Sequence, residues 1–283
     1  MDSSKVDEVV FDFPPFLRVY KDGRKERIQN SEFIPPSIDP TTGVSSKDVV
    51  IDPQTGVSAR LYLPKLKDPQ TKLPLVVYFH GGGFCIETAF TATYHNYLNS
   101  LVAEANVVAI SVDYRRAPDH PVPIAYEDSW TSLQWVGSQS KEEEWFKNYV
   151  DFDRVFMAGD SAGANIAHNM AIRAGYSDLN GLKFNGIVLI HPYFAGNEPI
   201  GSEVDPNFSR LGCKRVLVCV AEKDGLRDRG KFYYEELGKS EWDGVVEFME
   251  AEEENHVFHL FNYTCKNAVD LMKRVVSFIN TSE

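Results

Sequence analysis

From Val57 onward the chain alternates between short apolar runs and longer stretches with helical spacing. Residues 57–63 and 73–79 read as strands, the second apolar at almost every position, as expected of a strand buried on both faces. A helical stretch over about 94–105 leads to another buried strand, 107–112. Residues 124–138 carry Ala125, Leu133, Trp135 and Val136 at partly helical spacing, and the charged loop Lys141-Glu142-Glu143-Glu144 follows. An apolar run from Arg154 then leads, through a Gly-containing turn, into a helix that reaches about Gly175. Further strands are predicted at 186–190, 215–220 and 245–249, with helices at 228–239 and about 267–279. Strands alternating with helices imply right-handed crossovers and a mostly parallel central sheet covered by helices on both faces, an α/β fold. In such a sheet the reactive groups belong at the carboxyl ends of the strands. No internal repeat and no Gly-rich phosphate loop interrupts the pattern.

The first 56 residues differ in character. A hairpin is expected from Phe16–Tyr20 and Glu26–Ile28 around Lys21-Asp22-Gly23-Arg24, followed by Pro35, Pro36 and Pro40. This is read as an N-terminal arm or cap, 1–56, laid over a catalytic domain at 57–283. Its apolar residues Val9, Val10, Phe11, Phe13 and Phe16 are expected to pack on that domain or shelter a cleft.

At 283 residues and 43% hydrophobic, the chain has material for one large core. A formal net charge of -12 argues against nucleic acid or an anionic membrane surface as partner, because the general field repels phosphate. The polar start, Met1 to Glu8, lacks the apolar core of a signal peptide, and no later run reaches transmembrane length. A cytoplasmic protein is expected. Cys85, Cys213, Cys219 and Cys265 show neither metal-ligand nor redox spacing, so they read as reduced structural thiols, and the two Asn-x-Thr/Ser sequons carry no meaning without secretion.

Two motifs carry chemistry. In Gly159-Asp160-Ser161-Ala162-Gly163 a serine sits between an apolar run and a helical segment, where a sharp strand-to-helix turn needs small neighbours on either side. Such a turn lifts the Ser161 hydroxyl out of the sheet edge, beside the positive end of the following helix. In His80-Gly81-Gly82-Gly83-Phe84, directly after the buried strand, consecutive glycines bare the backbone amides. The amides of Gly82, Gly83 and Ala162 are the expected oxyanion donors, each worth about 2.7–4 kcal/mol of transition-state stabilisation.

A nucleophilic serine needs a base and a carboxylate that orients the base. Of the seven histidines, His168, His191, His256 and His259 follow Ser161. His168 lies on the helix of the serine turn and His191 ends a strand beside Pro192. His256 follows a strand and the acidic run 250–254, on a loop where a mobile base belongs, and His259 is its rival one helical turn on. Asp224 sits on a Gly-containing turn after the strand at 215–220, with Glu222 as the nearby alternative.

Together, His80-Gly81-Gly82-Gly83-Phe84, the segment Asp113-Tyr114-Arg115-Arg116-Ala117-Pro118-Asp119-His120-Pro121, Gly159-Asp160-Ser161-Ala162-Gly163 and the contexts of Asp224 and His256 resemble the plant carboxylesterases. These belong to the hormone-sensitive-lipase-like branch of α/β-hydrolases. The resemblance spans nearly the whole chain. It implies the α/β-hydrolase fold with an N-terminal cap, a triad of Ser161, Asp224 and His256 in preference to His259, and hydrolysis of a small-molecule ester through an acyl-enzyme. It implies no cofactor and no metal. Substrate-pocket candidates are His80, Phe84, Asp160, His191 and Val257. Relatives on the same frame include gibberellin receptors, isoflavanone dehydratases and alkaloid cyclases. A dehydratase or cyclase and a non-catalytic receptor are therefore the alternative readings, with His256 counting against a receptor that has lost its histidine. Monomer and dimer are equally open. The chain departs from the resemblance near 197–208, where a longer insertion normally closes the cap and where Ser161 and Asp224 stand only 63 positions apart. Either the lid is truncated, which would leave an open pocket of broad specificity, or Val204 and Asp205 are not true neighbours, the reading preferred on sequence grounds.

Overall fold

The computed structural model describes residues 8–14, 16–28, 32–68, 70–138, 142–179, 181–194 and 208–281. The expected lid at 197–207, the Val204–Asp205 junction and Lys141 lie outside the described residues.

The centre of the molecule is the strand Leu73–Phe79 (β6), buried at every position. In chain order the arm contributes β1 (Val9–Phe13), β2 (Leu17–Tyr20) and β3 (Lys25–Arg27). The main body contributes β4 (Ser45–Asp52), β5 (Val57–Leu63), β6, α1 (Ala92–Ala105), β7 (Val108–Asp113), α2 (Ile124–Ser138), α3 (Glu144–Tyr149), β8 (Val150–Asp160) and α4 (Ala162–Tyr176). It continues with β9 (Gly186–Ile190), β10 (Arg215–Ala221), α5 (Arg227–Lys239), β11 (Val245–Ala251), α6 (Phe258–Phe261) and α7 (Lys266–Asn280). Eight strands form one sheet in the order β11-β10-β9-β8-β6-β7-β5-β4, parallel from β11 to β7, with β5 antiparallel to β7 and β4 antiparallel to β5. The mostly parallel sheet read from the apolar runs is the one observed.

Two apolar clusters cover the faces of this sheet. One packs α2, α4 and α5 against residues such as Val77, Met157 and Val218; the other packs α1 and α7 against Val76, Ala158 and Leu217. The alternation in β6 decides which face each side chain serves, because successive residues point to opposite sides. Helix α7 shows the matching helical logic, burying Leu271, Val275, Phe278 and Ile279 along one stripe.

The amino-terminal part differs from expectation in two ways. The anticipated boundary at 56 falls inside the β4–β5 hairpin, since Ser45–Asp52 is the edge strand of the central sheet. The three-stranded arm keeps Val9, Val10, Phe11 and Phe13 exposed, at 40–58% of their surface. Leu17 and Tyr20 of the arm are buried, and polar contacts tie it to the body. Arg27 donates to the Cys85 and Ala117 carbonyls (2.7 and 3.0 Å) and to Asp119 (2.9 Å), and Lys25 pairs with Asp119 at 2.9 Å. These contacts fasten the arm to the loops that follow β6 and β7. Among the described residues, no helix is long and apolar enough to cross a membrane.

Candidate active site

Strand β8 ends at Asp160 and α4 starts at Ala162, so a single residue, Ser161, turns the chain. Its backbone sits at φ 51°, ψ -118°, outside the regions that non-glycine residues favour. Three hydrogen bonds hold it there: its N–H donates to the Ile190 carbonyl (2.9 Å), and its own carbonyl accepts from the amides of Tyr193 (3.0 Å) and Asn165 (3.2 Å). Close packing behind the turn explains the flanking glycines. A Cβ at Gly163 would overlap the Phe79 carbonyl oxygen, and one at Gly159 would overlap the Gly163 backbone.

Two loops from neighbouring strands meet Ser161. After β11, His256 places Nε2 at 2.9 Å from Ser161 Oγ. After β10, Asp224 places Oδ2 at 2.6 Å from His256 Nδ1, and its Oδ1 accepts the Leu226 amide at 2.9 Å. Burial raises the Asp224 pKa, but the hydrogen bonds from His256 and Leu226 and the attraction of His256 and His191 outweigh it. The net result lies below the ordinary carboxylate value, so Asp224 is held as the anion that a partnered imidazole requires. The geometry allows a proton to leave Ser161 for His256 while Asp224 fixes the other ring nitrogen.

The position of His256 depends on the next residue. Val257 adopts φ 48°, unusual for a β-branched side chain, and its N–H donates to His191 Nδ1 at 2.8 Å. His191 is itself left-handed at φ 47° and tied by its N–H to the Cys219 carbonyl (2.7 Å). Burial, together with His259 and His256, pushes the His191 pKa well below the usual histidine value. The ring is therefore neutral, and because Nδ1 accepts from Val257 its proton sits on Nε2. His191 thus buttresses the backbone beside His256.

The candidate oxyanion loop follows β6. Gly82 and Gly83 adopt φ 101° and 59°, and a Cβ on Gly82 would strike the Ile86 carbonyl. The amides of Gly82, Gly83 and Ala162 find no acceptor among the described residues, which leaves them available to an anionic oxygen. Asp160 braces the loop from behind. Its carboxylate accepts from Tyr78 Oη (2.8 Å), Tyr94 Oη (2.9 Å) and the Gly81 amide (3.2 Å), and Tyr94 Oη also accepts the Gly81 N–H at 2.7 Å. Burial raises the Asp160 pKa to about 6, against the lowering by those hydrogen bonds.

The other candidates are sorted by their contacts. His80 and Asp160 are buried at 0 and 1% exposure and act behind the loop rather than lining a pocket. The His80 ring stacks on Tyr114, whose hydroxyl donates to the His80 carbonyl at 2.6 Å. Phe84 meets Tyr126 and Tyr193 edge-on. His259 is buried against Tyr97 and makes no approach to Ser161, His168 bonds to Tyr233 Oη, and Glu222 accepts the Glu253 amide. His191, Asp224 and His256 bring potential metal-ligand atoms within 4.8 Å of one another, but Asp224 and His256 are engaged with each other and His191 Nδ1 with Val257. That hydrogen-bonded set suits proton transfer better than a cation.

The α/β hydrolase fold family model matches residues 76–210 and 197–260. The chain is 45% identical to probable carboxylesterase 2 of Arabidopsis thaliana, over all of both chains, and 42% identical to 2-hydroxyisoflavanone dehydratase of Glycyrrhiza echinata, over 96% of each. The chain belongs to the plant carboxylesterase family of α/β-hydrolases. Among solved structures it resembles a hyperthermophilic esterase from the archaeon Pyrobaculum calidifontis, with 27% identity, a TM-score of 0.66, and 83% and 84% of the two chains covered. The two matched segments of the family model overlap at 197–210.

Within this family member, several supporting residues escaped the sequence reading. Tyr78, Tyr94 and Tyr114 hold the loop after β6 and Asp160 from the core side. Tyr126 donates to Asn165 Oδ1 at 2.7 Å, and Asn165 donates to the Tyr193 carbonyl at 2.9 Å, stitching α2 to the turn after β9. One signal was present: a phenol inside the otherwise apolar run of β6 demands a buried partner for its hydroxyl.

Proposed function

We propose that the protein is a serine carboxylesterase that hydrolyses small-molecule carboxylic esters through an acyl-enzyme. The observation that carries this reading is the unbroken hydrogen-bonded line Ser161 Oγ, His256, Asp224, at 2.9 and 2.6 Å. Ser161 Oγ attacks the ester carbonyl carbon and passes its proton to His256 Nε2, while the carbonyl oxygen takes the negative charge before the amides of Gly82, Gly83 and Ala162. Collapse breaks the bond to the alkoxy group, which leaves as the alcohol with the proton from His256. Water then attacks the acyl-serine with His256 again as base, releasing the acid and restoring Ser161. Asp224 stabilises the imidazolium at both stages.

The names of the relatives support an ester substrate, and four free cysteines support the cytoplasmic location included in this reading. Hydrolysis of a p-nitrophenyl ester by the purified protein tests it. Ser161→Ala should lower kcat by about 10⁴-fold or more, leave the circular dichroism spectrum unchanged and abolish labelling by a fluorophosphonate. Undiminished turnover in that variant would remove Ser161 from the mechanism. The dehydratase relative motivates a second reading, elimination on a specialised metabolite. Reaction in ¹⁸O-water separates the two, because hydrolysis puts the label into the acid and elimination does not.

A further inference from the structure

The turn that leaves β9, Ile190-His191-Pro192-Tyr193, reaches the supports of Ser161, Asp224 and His256 together. Its Ile190 carbonyl accepts the Ser161 amide (2.9 Å) and its Tyr193 amide donates to the Ser161 carbonyl (3.0 Å), so the backbone of the candidate nucleophile is gripped on both sides of Cα. The His191 N–H donates to the Cys219 carbonyl (2.7 Å) in β10, the strand that leads to Asp224. The His191 ring completes the set, its Nδ1 accepting the amide of Val257, the residue directly after His256, at 2.8 Å.

The loop that carries His256 is pinned on either side of that residue. Before it, the Glu254 carbonyl accepts the Lys223 amide (2.9 Å) and Glu222 accepts the Glu253 amide (2.7 Å). After it, Val257 stands at φ 48° and presents its N–H to His191. A β-branched residue keeps that conformation only where its surroundings over-determine it. The His191 ring is 1% exposed and packs against Phe258 and His259, at centroid distances of 5.6 and 5.5 Å, so its Nδ1 is held in one place. The His256 ring lies 5.8 Å away. A neutral acceptor is what this position requires. A carboxylate would set a second negative charge near Asp224, and a cationic ring would face the imidazolium that forms when His256 takes the Ser161 proton.

We infer that His191 is a positioning residue for ester hydrolysis: the lone pair on its Nδ1 fixes the Val257 peptide and so keeps His256 Nε2 within reach of Ser161 Oγ through every proton transfer. The inference rests on the function proposed above. His191 touches no reacting atom, and its effect passes through one peptide group. Nε2 must take a proton from Ser161, give it to the departing alkoxy oxygen and then take one from water, each within hydrogen-bond reach. A misplacement of about 1 Å at such a group costs about 100-fold in rate. The same turn grips Ser161 and the strand before Asp224, so a shift of His256 alone breaks the register of the three.

The test compares the wild type with two variants in hydrolysis of a p-nitrophenyl ester. His191→Leu fills the space but offers no acceptor, and its kcat should fall by about 100-fold with KM little changed. His191→Asn sets Oδ1 the same number of bonds from Cα as Nδ1, and asparagine tolerates the left-handed backbone found here at φ 47°. It should restore most of the lost rate, and the rate at which a fluorophosphonate labels Ser161 should follow the same order. A purely structural role would lower the thermal midpoint of both variants without that order in kcat. A further readout needs only the wild type: ¹⁵N NMR of the imidazoles at pH 7 should show His191 neutral with its proton on Nε2. A proton on Nδ1 would overturn the inference whether or not either variant folds, because that nitrogen could not then accept from Val257. A wild-type kcat in His191→Leu, or an equal loss in both variants, would overturn it and leave ester hydrolysis standing. Wild-type protein that hydrolyses no ester would overturn the proposed function, and this role with it.

Discussion

Asp160 stands one residue before the candidate nucleophile, is 1% exposed, and has only hydroxyl and amide donors around its carboxylate. Among the described residues no arginine or lysine bonds to it, and its hydrogen bonds and the attraction of His256 do not offset burial, so its pKa rises to about 6 from an unfolded value of 3.8. Between those two values the folded state holds a proton that the unfolded chain has already lost. Stability from this residue is therefore present below pH 3.8 and is withdrawn as pH rises to about 6, by roughly 3 kcal/mol for a shift of about two units. Asp160→Asn removes the ionisation. The unfolding free energy of the wild type minus that of the variant, measured by urea titration, should fall by about that amount between pH 4 and pH 7. A difference independent of pH would show that the carboxylate is ionised throughout. Ser161, His191 and Val257 store the complementary kind of stress, each at a positive φ held by specific hydrogen bonds.

At the scale of elements, the β8–α4 elbow is where sequence and geometry agree most closely, because its constraint is steric. Gly163→Ala sets a Cβ against the Phe79 carbonyl oxygen, a backbone atom of a strand paired on both sides, so neither partner can yield. The variant should lose more than about 3 kcal/mol of stability, seen as a thermal midpoint many degrees lower or as insoluble protein. An unchanged midpoint would mean the elbow relaxes without cost. The same steric logic made β6, β9 and the elbow legible in the chain: continuous apolar runs bounded by glycine have few alternatives. The edge strand β4 escaped notice because its first half, Ser45-Ser46-Lys47-Asp48, is polar and its apolar run is only Val49-Val50-Ile51, with the strand mostly half-buried or exposed. Helix α3 was hidden for a similar reason. It starts within a charged run, and Glu143, read there as loop, is its cap, accepting the Phe146 amide. The chain order of Ser161, Asp224 and His256, which the fold brings within hydrogen-bond reach, could be read along the sequence, but the bracing by Tyr78, Tyr94 and Tyr114 could not. Those contacts join residues 66 and 82 positions apart, and only the folded sheet brings them to one point.

Across the whole molecule the buried histidines set the response to acid. His80 and His259 are pushed to about 3, in each case chiefly by burial, and His191 is driven in the same direction. These rings stay neutral in the fold while the unfolded chain protonates them below about 6.5. Above that value they cost nothing; below it each withdraws about 1.4 kcal/mol per pH unit until its folded pKa is reached. Asp160 acts in the opposite sense below about pH 6 and offsets one histidine, not three. Relief of repulsion within a chain of net charge -12 also favours the acid side, but between solvent-exposed charges that repulsion is screened. The buried groups therefore prevail, and unfolding free energy should fall by a few kcal/mol between pH 7 and pH 5, measured from urea midpoints at constant m-value. His259→Phe removes one titrating ring without adding a charge. Whatever it does to stability at pH 7, its slope between pH 6.5 and pH 5 should be shallower than that of the wild type by about 1.4 kcal/mol per pH unit. Parallel slopes would place the acid response of this fold somewhere other than His259.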